Sequence, residues 1–208
     1  MVTPQQVDEL QLSDHYYLTS DDTCIYFREY TPRQSYEYSE TNRLIHNFKK
    51  PVDRKGKNEY YYKDKAIDRI QQEIAGCLNK NWLLNATLVP IPPSKSKAHS
   101  LYDDRMTQVL KGIGAWIRGQ CDVRELIVQT ADMDAVHLHN DDRPTPDELR
   151  AIYEIDEDLT SPEPKSIGLF DDVITAGSHF RAAKDLLTQR FPGANVVGIF
   201  VARRVPLL

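Results

Sequence analysis

Two adjacent carboxylates, Asp171 and Asp172, follow an apolar run at 166–170 and precede a loop of small and hydroxyl residues at 175–179. Apolar residues at helical spacing come next, over 180–187. A loop that leads from a parallel strand into a helix directs several backbone N–H groups at one point, near the positive end of the helix dipole. That point suits a phosphate, and the carboxylates suit sugar hydroxyls or a hydrated divalent cation. The alternative is an ordinary buried strand with an acidic turn, but the order and spacing favour a sugar-phosphate site.

The segment closely resembles the 5-phosphoribosyl-1-pyrophosphate (PRPP) motif of type I phosphoribosyltransferases. The resemblance implies that Asp171 and Asp172 are catalytic, contact the ribose hydroxyls, and hold Mg²⁺ as a cofactor, directly or through water. The loop that binds the 5′-phosphate would consist of Thr175, Ala176, Gly177, Ser178 and His179. Ala176 stands where a second hydroxyl residue is common, and His179 stands where Thr or Ser usually closes the loop.

A second loop, at 89–97, combines prolines with hydroxyl and ammonium groups. Taken alone, it is either a solvated basic turn or an anion site. It lies one strand–helix unit before another strand and the acidic loop, and there it resembles the pyrophosphate loop of the same family. ComF-type phosphoribosyltransferase-like proteins have a Pro-x-Pro element followed by basic residues at this place, although the zinc ribbon of many such proteins is absent here. The resemblance makes Ser94, Lys95 and Lys97 candidates for PRPP binding.

Two arginines are further candidates. Arg105 opens the helix after the proline-rich loop, where it either clamps a phosphate in a bidentate manner or pairs with Asp103 or Asp104. Arg143 lies in a long polar stretch at 130–150, the place of the mobile loop that closes over PRPP in type I enzymes. The resemblance makes Arg143 a catalytic candidate that caps the pyrophosphate. A solvated arginine paired with neighbouring aspartates is the alternative.

Strands and helices alternate along most of the chain. Strands are expected at 24–30, 87–91, 125–129, 166–170 and 195–202, and helices at 41–50, 64–79, 103–118, 146–153 and after the loop at 175–179. This order predicts an α/β fold with a mostly parallel sheet flanked by helices, and the resemblance implies a type I phosphoribosyltransferase-like arrangement. Ligands of such sheets bind beyond the carboxyl ends of the strands, so the two loops should converge.

The chain is expected to divide into an N-terminal accessory region at 1–62 and a phosphoribosyltransferase-like core at 63–208. The first region is polar and contains nine of the eleven tyrosines. Its rings either form a hood that stacks on an acceptor base, pack at a sheet edge, or form the contact of a homodimer.

Composition bounds the functional classes. The net charge of −5 argues against a general nucleic-acid-binding surface, although it allows a local basic groove. The three cysteines, Cys24, Cys77 and Cys121, form no CxxC pair, which favours reduced thiols over zinc or a disulfide framework. No apolar run approaches membrane-spanning length, and no signal-peptide pattern opens the sequence. A cytoplasmic protein without a membrane partner is predicted.

Three functions compete. The first is an enzyme that transfers 5-phosphoribosyl from PRPP to a nucleobase or related amine, a small-molecule acceptor, with release of pyrophosphate. The second is a non-catalytic sensor that binds PRPP or a nucleotide, which the residues at Ala176 and His179 favour. The third is an interaction component of a DNA-uptake, repair or defence system with a protein or nucleic-acid partner. His137 and His139 either assist proton transfer or are outward-facing residues of an exposed strand.

Overall fold

The computed structural model describes residues 2–132 and 144–206. The strands within these ranges are β1 (Gln5–Gln6), β2 (Cys24–Tyr30), β3 (Thr87–Pro90), β4 (Asp122–Val123), β5 (Ile127–Gln129), β6 (Tyr153–Ile155), β7 (Ser166–Ile174) and β8 (Asn195–Arg204). The helices are α1 (Glu40–Phe48), α2 (Tyr61–Cys77), α3 (Lys80–Asn85), α4 (Arg105–Ile117), α5 (Pro146–Arg150) and α6 (Ser178–Arg190).

Six strands form the main sheet in the order β1-β2-β8-β7-β3-β4. The short β1 is antiparallel to β2, and every other neighbouring pair is parallel. The prediction of an α/β fold with a mostly parallel sheet flanked by helices is confirmed. Because β7 and β3 are parallel neighbours, their carboxyl ends lie at the same edge of the sheet, which brings together the two loops that follow them.

Strand β7 runs further than the sequence indicates, because it continues through both aspartates. Asp171 and Val173 align with Phe200 and Ala202 of β8, so the carboxylates belong to the last part of a paired strand. A strand that is hydrogen-bonded to a long parallel neighbour holds its side chains more rigidly than a loop does. The chain leaves the sheet only after Ile174.

Strand β5 was expected in the alternating strand–helix series, but it lies outside the main sheet. It pairs antiparallel with β6 in a separate two-stranded sheet, in which Gln129 aligns with Tyr153. The helix expected at 146–153 ends at Arg150 because this strand pairing then takes over. Its start is set by a capping box, in which Thr145 and Glu148 exchange backbone and side-chain hydrogen bonds.

Apolar side chains cover both faces of the main sheet. Helices α1, α2 and α4 pack on one face against Phe170 of β7 and Ile199 of β8. Helix α6, α5 and the β5–β6 pair pack on the other face against Leu169 and Phe200. Two such layers leave the strand ends as the open edge of the fold. None of the described helices is long and apolar enough to cross a membrane.

The N-terminal region contributes directly to the main sheet. Strand β2 pairs with β8 from Cys24 to Tyr30, and Cys24 and Tyr26 are buried in the core. The expected boundary at residue 62 therefore does not coincide with a break in the sheet. Burial also raises the pKa of the Cys24 thiol, which fits a small core residue.

An N-terminal strap, residues 15–22, crosses the start of α6 and ends at a buried carboxylate. The Asp22 side chain is fully buried and lies 2.6 Å from Lys184 Nζ, and it also pairs with the Arg181 guanidinium. The Thr19 N–H donates to the same carboxylate at 2.7 Å. Burial alone would raise the pKa of Asp22, but Lys184, the Thr19 N–H and Arg181 hold it below its ordinary value.

Removal of the Asp22 carboxylate should destabilise the protein. We expect Asp22→Ala to lower the free energy of unfolding by about 3 kcal/mol, because it leaves two cations without their buried counter-ion. Urea denaturation followed by circular dichroism measures this change. The matched control is Glu157→Ala, which removes a solvent-exposed partner of Arg190 and should have a much smaller effect. Equal losses in the two variants would contradict the anchoring role of Asp22.

Candidate functional site

The proline-rich loop and the two aspartates meet at the carboxyl edge of β3 and β7. The Ile91 N–H donates to the Phe170 carbonyl at 2.9 Å, which extends the pairing of the strands to the point where the loops diverge. A cleft opens beside this point. Its lining includes Pro90, Ile91, Pro92, Pro93, Lys95, Lys97, Tyr102, Asp103, Asp104, Arg105, Met106, Thr107, Glu125, Ile127, Val128, Gln129, Asp171 and Asp172.

Asp172 is held by two cations, one from the residue after α1 and one from the first residue of α4. Lys49 Nζ lies 2.8 Å from one carboxylate oxygen, and Arg105 Nη2 lies 2.6 Å from the other. The Asp172 side chain is 7% exposed, whereas that of Lys49 is 45% exposed. Burial alone would raise the pKa of Asp172, but the positive charges of Lys49 and Arg105 lower it well below its ordinary value. Asp172 is therefore ionised at neutral pH.

Asp171 is in the opposite electrostatic situation. Its carboxylate accepts a hydrogen bond from the Asp172 N–H at 2.7 Å, and its side chain faces the cleft. Burial and the negative charge of Asp172 raise the pKa of Asp171, which outweighs the effect of Lys49 and Arg105. A hydroxyl donor or a cation from a ligand would relieve this unfavourable charge, so Asp171 is suited to bind one.

Arg105 continues a chain of alternating charges into the protein. Its Nη1 lies 2.9 Å from Asp103 Oδ2, so Arg105 pairs with Asp103 and also reaches the acidic motif. Lys63, which is almost fully buried, donates to the same Asp103 oxygen at 2.6 Å and to the Lys50 carbonyl at 2.8 Å. Lys49 and Lys63 were not among the predicted site residues. Nothing in the spacing of Lys49 along the sequence indicates contact with Asp172.

The loop after β7 presents backbone N–H groups at the start of α6. Gly177 precedes this helix with φ of 92°, a left-handed conformation that favours glycine. Within residues 2–132 and 144–206, the N–H groups of Ala176, Gly177 and Ser178 have no protein hydrogen-bond partner. The carbonyls point elsewhere, because Ala176 O accepts from the Tyr17 N–H at 3.0 Å and Thr175 O is hydrogen-bonded to the His15 ring. The loop thus has the polarity of an anion site.

The N-terminal strap holds the loop carbonyls away from the side on which the N–H groups are available. His15 and Tyr17 bind the loop carbonyls, and Leu18 packs against Gly177, where an added Cβ would lie 3.1 Å from its side chain. The remaining loop residue, His179, is hydrogen-bonded through Nδ1 to the Tyr153 hydroxyl at 2.9 Å. His179, which departs from the family pattern, is therefore hydrogen-bonded to a residue of the β5–β6 pair.

The predicted pyrophosphate loop is held by residues from β5 and its surroundings. Ser94 O accepts from Gln129 Nε2 at 2.9 Å, and the Ser96 N–H donates to Asp132 at 2.7 Å. Lys97 Nζ lies 2.6 Å from Glu125, and both Lys95 and Lys97 line the cleft. The Gln129 Oε1 atom is buried and has no hydrogen-bond partner among the described residues, so a ligand donor that entered the cleft could satisfy it.

The structure brings most of the predicted residues to this edge of the sheet, but three of the candidates lie elsewhere in the chain. Arg143, His137 and His139 lie outside the described residues. Among the described residues, no group of three or more His, Cys, Asp or Glu side chains could hold a metal ion by itself. A magnesium ion would accordingly need ligand oxygens in addition to Asp171 and Asp172, as is usual for magnesium bound with a phosphate substrate.

Comparison with known proteins adds no family assignment. No protein-family model matches the chain, and no curated protein matches it significantly.

The two aspartates should affect stability in opposite directions. Asp171 has a raised pKa in the folded state, so its ionisation destabilises the protein increasingly as the pH rises through that pKa. We expect Asp171→Asn to raise the free energy of unfolding by about 1–2 kcal/mol at about pH 8. Asp172 has a lowered pKa and stabilises the protein above its ordinary pKa, so Asp172→Asn should lower that energy by about 3 kcal/mol.

Urea denaturation of both variants and the wild type from about pH 4 to about pH 8 measures these changes. The Asp171 difference should shrink toward about pH 4, where both states of that carboxyl become protonated, whereas the Asp172 difference should persist almost unchanged to about pH 4 and be lost only below it. Changes of the same sign at about pH 8 would contradict the electrostatic assignment.

Proposed function

We propose that the protein is a type I phosphoribosyltransferase-like protein that binds PRPP with Mg²⁺ and transfers 5-phosphoribosyl to a nucleobase or related amine, with release of pyrophosphate. One observation carries the proposal. The cleft-facing Asp171 lies in the same strand that leads into the Ala176–Ser178 N–H groups, and the loop with Lys95 and Lys97 ends the neighbouring strand. A ribose with a phosphate on each side matches that order of groups.

The 5′-phosphate would bind at the start of α6. Three backbone N–H groups that have no partner in the described part of the chain, together with the positive end of the helix dipole, favour a dianion there. The Ser178 side chain is buried at the same place, and Ala176 removes no backbone donor. The departures from the family pattern therefore leave this part of the site chemically competent.

The ribose hydroxyls would donate to Asp171. This contact compensates for the desolvation that raises the pKa of Asp171. Asp172, which is already paired with Lys49 and Arg105, would keep the strand end in place and balance the charge of those cations. The two carboxylates thus have different roles, although they are adjacent in sequence.

The pyrophosphate would lie beside Lys95, Lys97 and Arg105. Lys97 pairs with Glu125 and Arg105 pairs with Asp103 and Asp172, so bound pyrophosphate would share these cations with resident carboxylates. When bound, Mg²⁺ would neutralise part of the pyrophosphate charge, with Asp171 and Asp172 holding it directly or through water. Arg143 remains the candidate to cap the pyrophosphate.

In the reaction, the bond between ribose C1 and a pyrophosphate oxygen breaks while the acceptor nitrogen forms a bond to C1, and the proton of that nitrogen passes to the released pyrophosphate or to solvent. Positive charge develops on the ribose, so the carboxylates stabilise the transition state and the cations stabilise the leaving group. The catalytic contribution of the chain is chiefly to position the reactants and to supply this charge complement. An N–H group of the nucleobase or amine could also donate a hydrogen bond to Gln129 Oε1 in the cleft.

A PRPP- or nucleotide-binding sensor without catalysis is the second candidate. The observation that favours it is the salt bridge of Asp172 with two cations, which commits one of the two motif carboxylates to a structural partner. Such a protein would bind PRPP and never release pyrophosphate. The two candidates share the binding site and differ in turnover.

Binding of PRPP tests both candidates. Calorimetric titration of PRPP with Mg²⁺ should give binding to the wild type and none to Asp171→Asn/Asp172→Asn, because the variant lacks both carboxylates. The control is Asp8→Asn/Glu9→Gln, which changes two exposed acidic residues far from the cleft in sequence and should bind like the wild type. Failure of the folded wild type to bind would overturn the proposal. Pyrophosphate release in the presence of nucleobases would then separate the enzyme from the sensor.

The two phosphate positions should respond to different substitutions. Lys95→Ala/Lys97→Ala should weaken binding of pyrophosphate and leave that of ribose 5-phosphate nearly unchanged. Gly177→Val should have the reverse effect, because φ of 92° and the contact with Leu18 leave no room for a branched side chain without a shift of the loop. Calorimetry with each ligand measures both effects. Equal losses for both ligands in both variants would contradict two separate phosphate positions.

A further inference from the structure

Exposed aromatic rings and lysines alternate on one surface near the start of α2. We call it the aromatic–basic surface and define it by Tyr61, Tyr62, Lys50, Lys65 and the loop at 54–57. Tyr61 is 57% exposed and Tyr62 is 56% exposed, so both rings face solvent although they are large and partly apolar. Exposed adjacent aromatic rings are more typical of a binding surface than of a solvated helix.

The charge of this part of the chain is opposite to that of the whole. Residues 43–65 contain eight Lys or Arg and three Asp or Glu, in a protein with a net charge of −5. Lys63 is buried in its contact with Asp103, whereas the loop at 54–57 is exposed throughout. Such local positive charge attracts a polyanion even though the protein is acidic overall.

Rings and ammonium groups are interleaved at short range. Lys50 Nζ lies 5.5 Å from the centre of the Tyr62 ring, and Lys65 Nζ lies 5.2 Å from the centre of the Tyr61 ring. The two ring centres are 5.7 Å apart and the planes are 71° to each other. A ring with an adjacent cation offers a stacking face for a base and a charge for its phosphate.

We propose that the aromatic–basic surface binds single-stranded nucleic acid. Unpaired bases can stack on Tyr61 and Tyr62, whereas the bases of a duplex are already stacked on each other. The neighbouring cations would track the phosphate backbone. None of the residues that define the surface lines the cleft, so the proposal stands independently of PRPP binding.

Fluorescence anisotropy with end-labelled single-stranded DNA and RNA of about 20 nucleotides tests the proposal at about 50 mM and about 200 mM NaCl. The wild type should bind single strands more tightly than a duplex of the same sequence, with an affinity that falls as salt rises. Tyr61→Ala/Tyr62→Ala should weaken binding about tenfold or more, and Tyr61→Phe/Tyr62→Phe should retain it because the stacking faces remain. Circular dichroism checks that each variant is folded.

A charge test separates this surface from non-specific attraction. Lys55→Glu/Lys57→Glu should weaken binding and reduce its salt dependence, since fewer phosphates are neutralised. The matched control Lys80→Glu/Lys165→Glu makes the same change at exposed positions outside the surface and should bind like the wild type. The proposal is overturned by any of three results: no binding of folded wild type at the lower salt, equal losses in both charge variants, or tighter binding of duplex DNA or anionic vesicles than of single strands.

Discussion

The salt bridges of Asp172 with Lys49 and Arg105 hold the site together. They join the residue after α1, the first residue of α4 and the end of β7, three elements that are far apart in sequence. Because Asp172 is buried, loss of either cation would leave its charge only partly compensated in the interior. The position of α1 and α4 on the sheet and the geometry of the acidic motif therefore depend on the same carboxylate.

Over residues 2–132 and 144–206 the adjacent Asp171 has no comparable partner, and its ionisation is opposed by burial and by Asp172. A buried carboxylate with a raised pKa in the lining of a cleft lowers the free energy of unfolding, and such groups are characteristic of binding and catalytic sites. The contrast between the two neighbours is stronger support for a ligand site than the acidic character of the motif alone, since an exposed acidic turn would leave both groups with ordinary pKa values.

The loop before α6 depends on contacts from the other end of the chain. The strap at 15–22 binds the Thr175 and Ala176 carbonyls, and it is anchored in turn by Asp22 on the side of α6. When those carbonyls are engaged on one side, the neighbouring N–H groups are left available to a ligand. The N-terminal region therefore serves the candidate phosphate site as well as supplying β2 to the sheet.

The sequence by itself determined the fold class and marked one segment of the chain as the candidate site. Apolar periodicity identified β2, α2, α4 and β8 because burial of one face fixes the spacing of apolar residues. The pair of aspartates followed by a small-residue loop marked the candidate ligand-binding segment. Such signals are local, so a single stretch of sequence contains them.

Only the tertiary structure decided which charges meet. Lys49 and Arg105 form salt bridges with Asp172, and the pKa values of the two aspartates shift in opposite directions. Strand β5 pairs with β6 outside the main sheet. His15 and Tyr17 form hydrogen bonds with the loop before α6. Ion pairs and strand partners between distant segments depend on how helices and strands pack, and on how much water that packing excludes. Neither quantity is a property of a local run of residues.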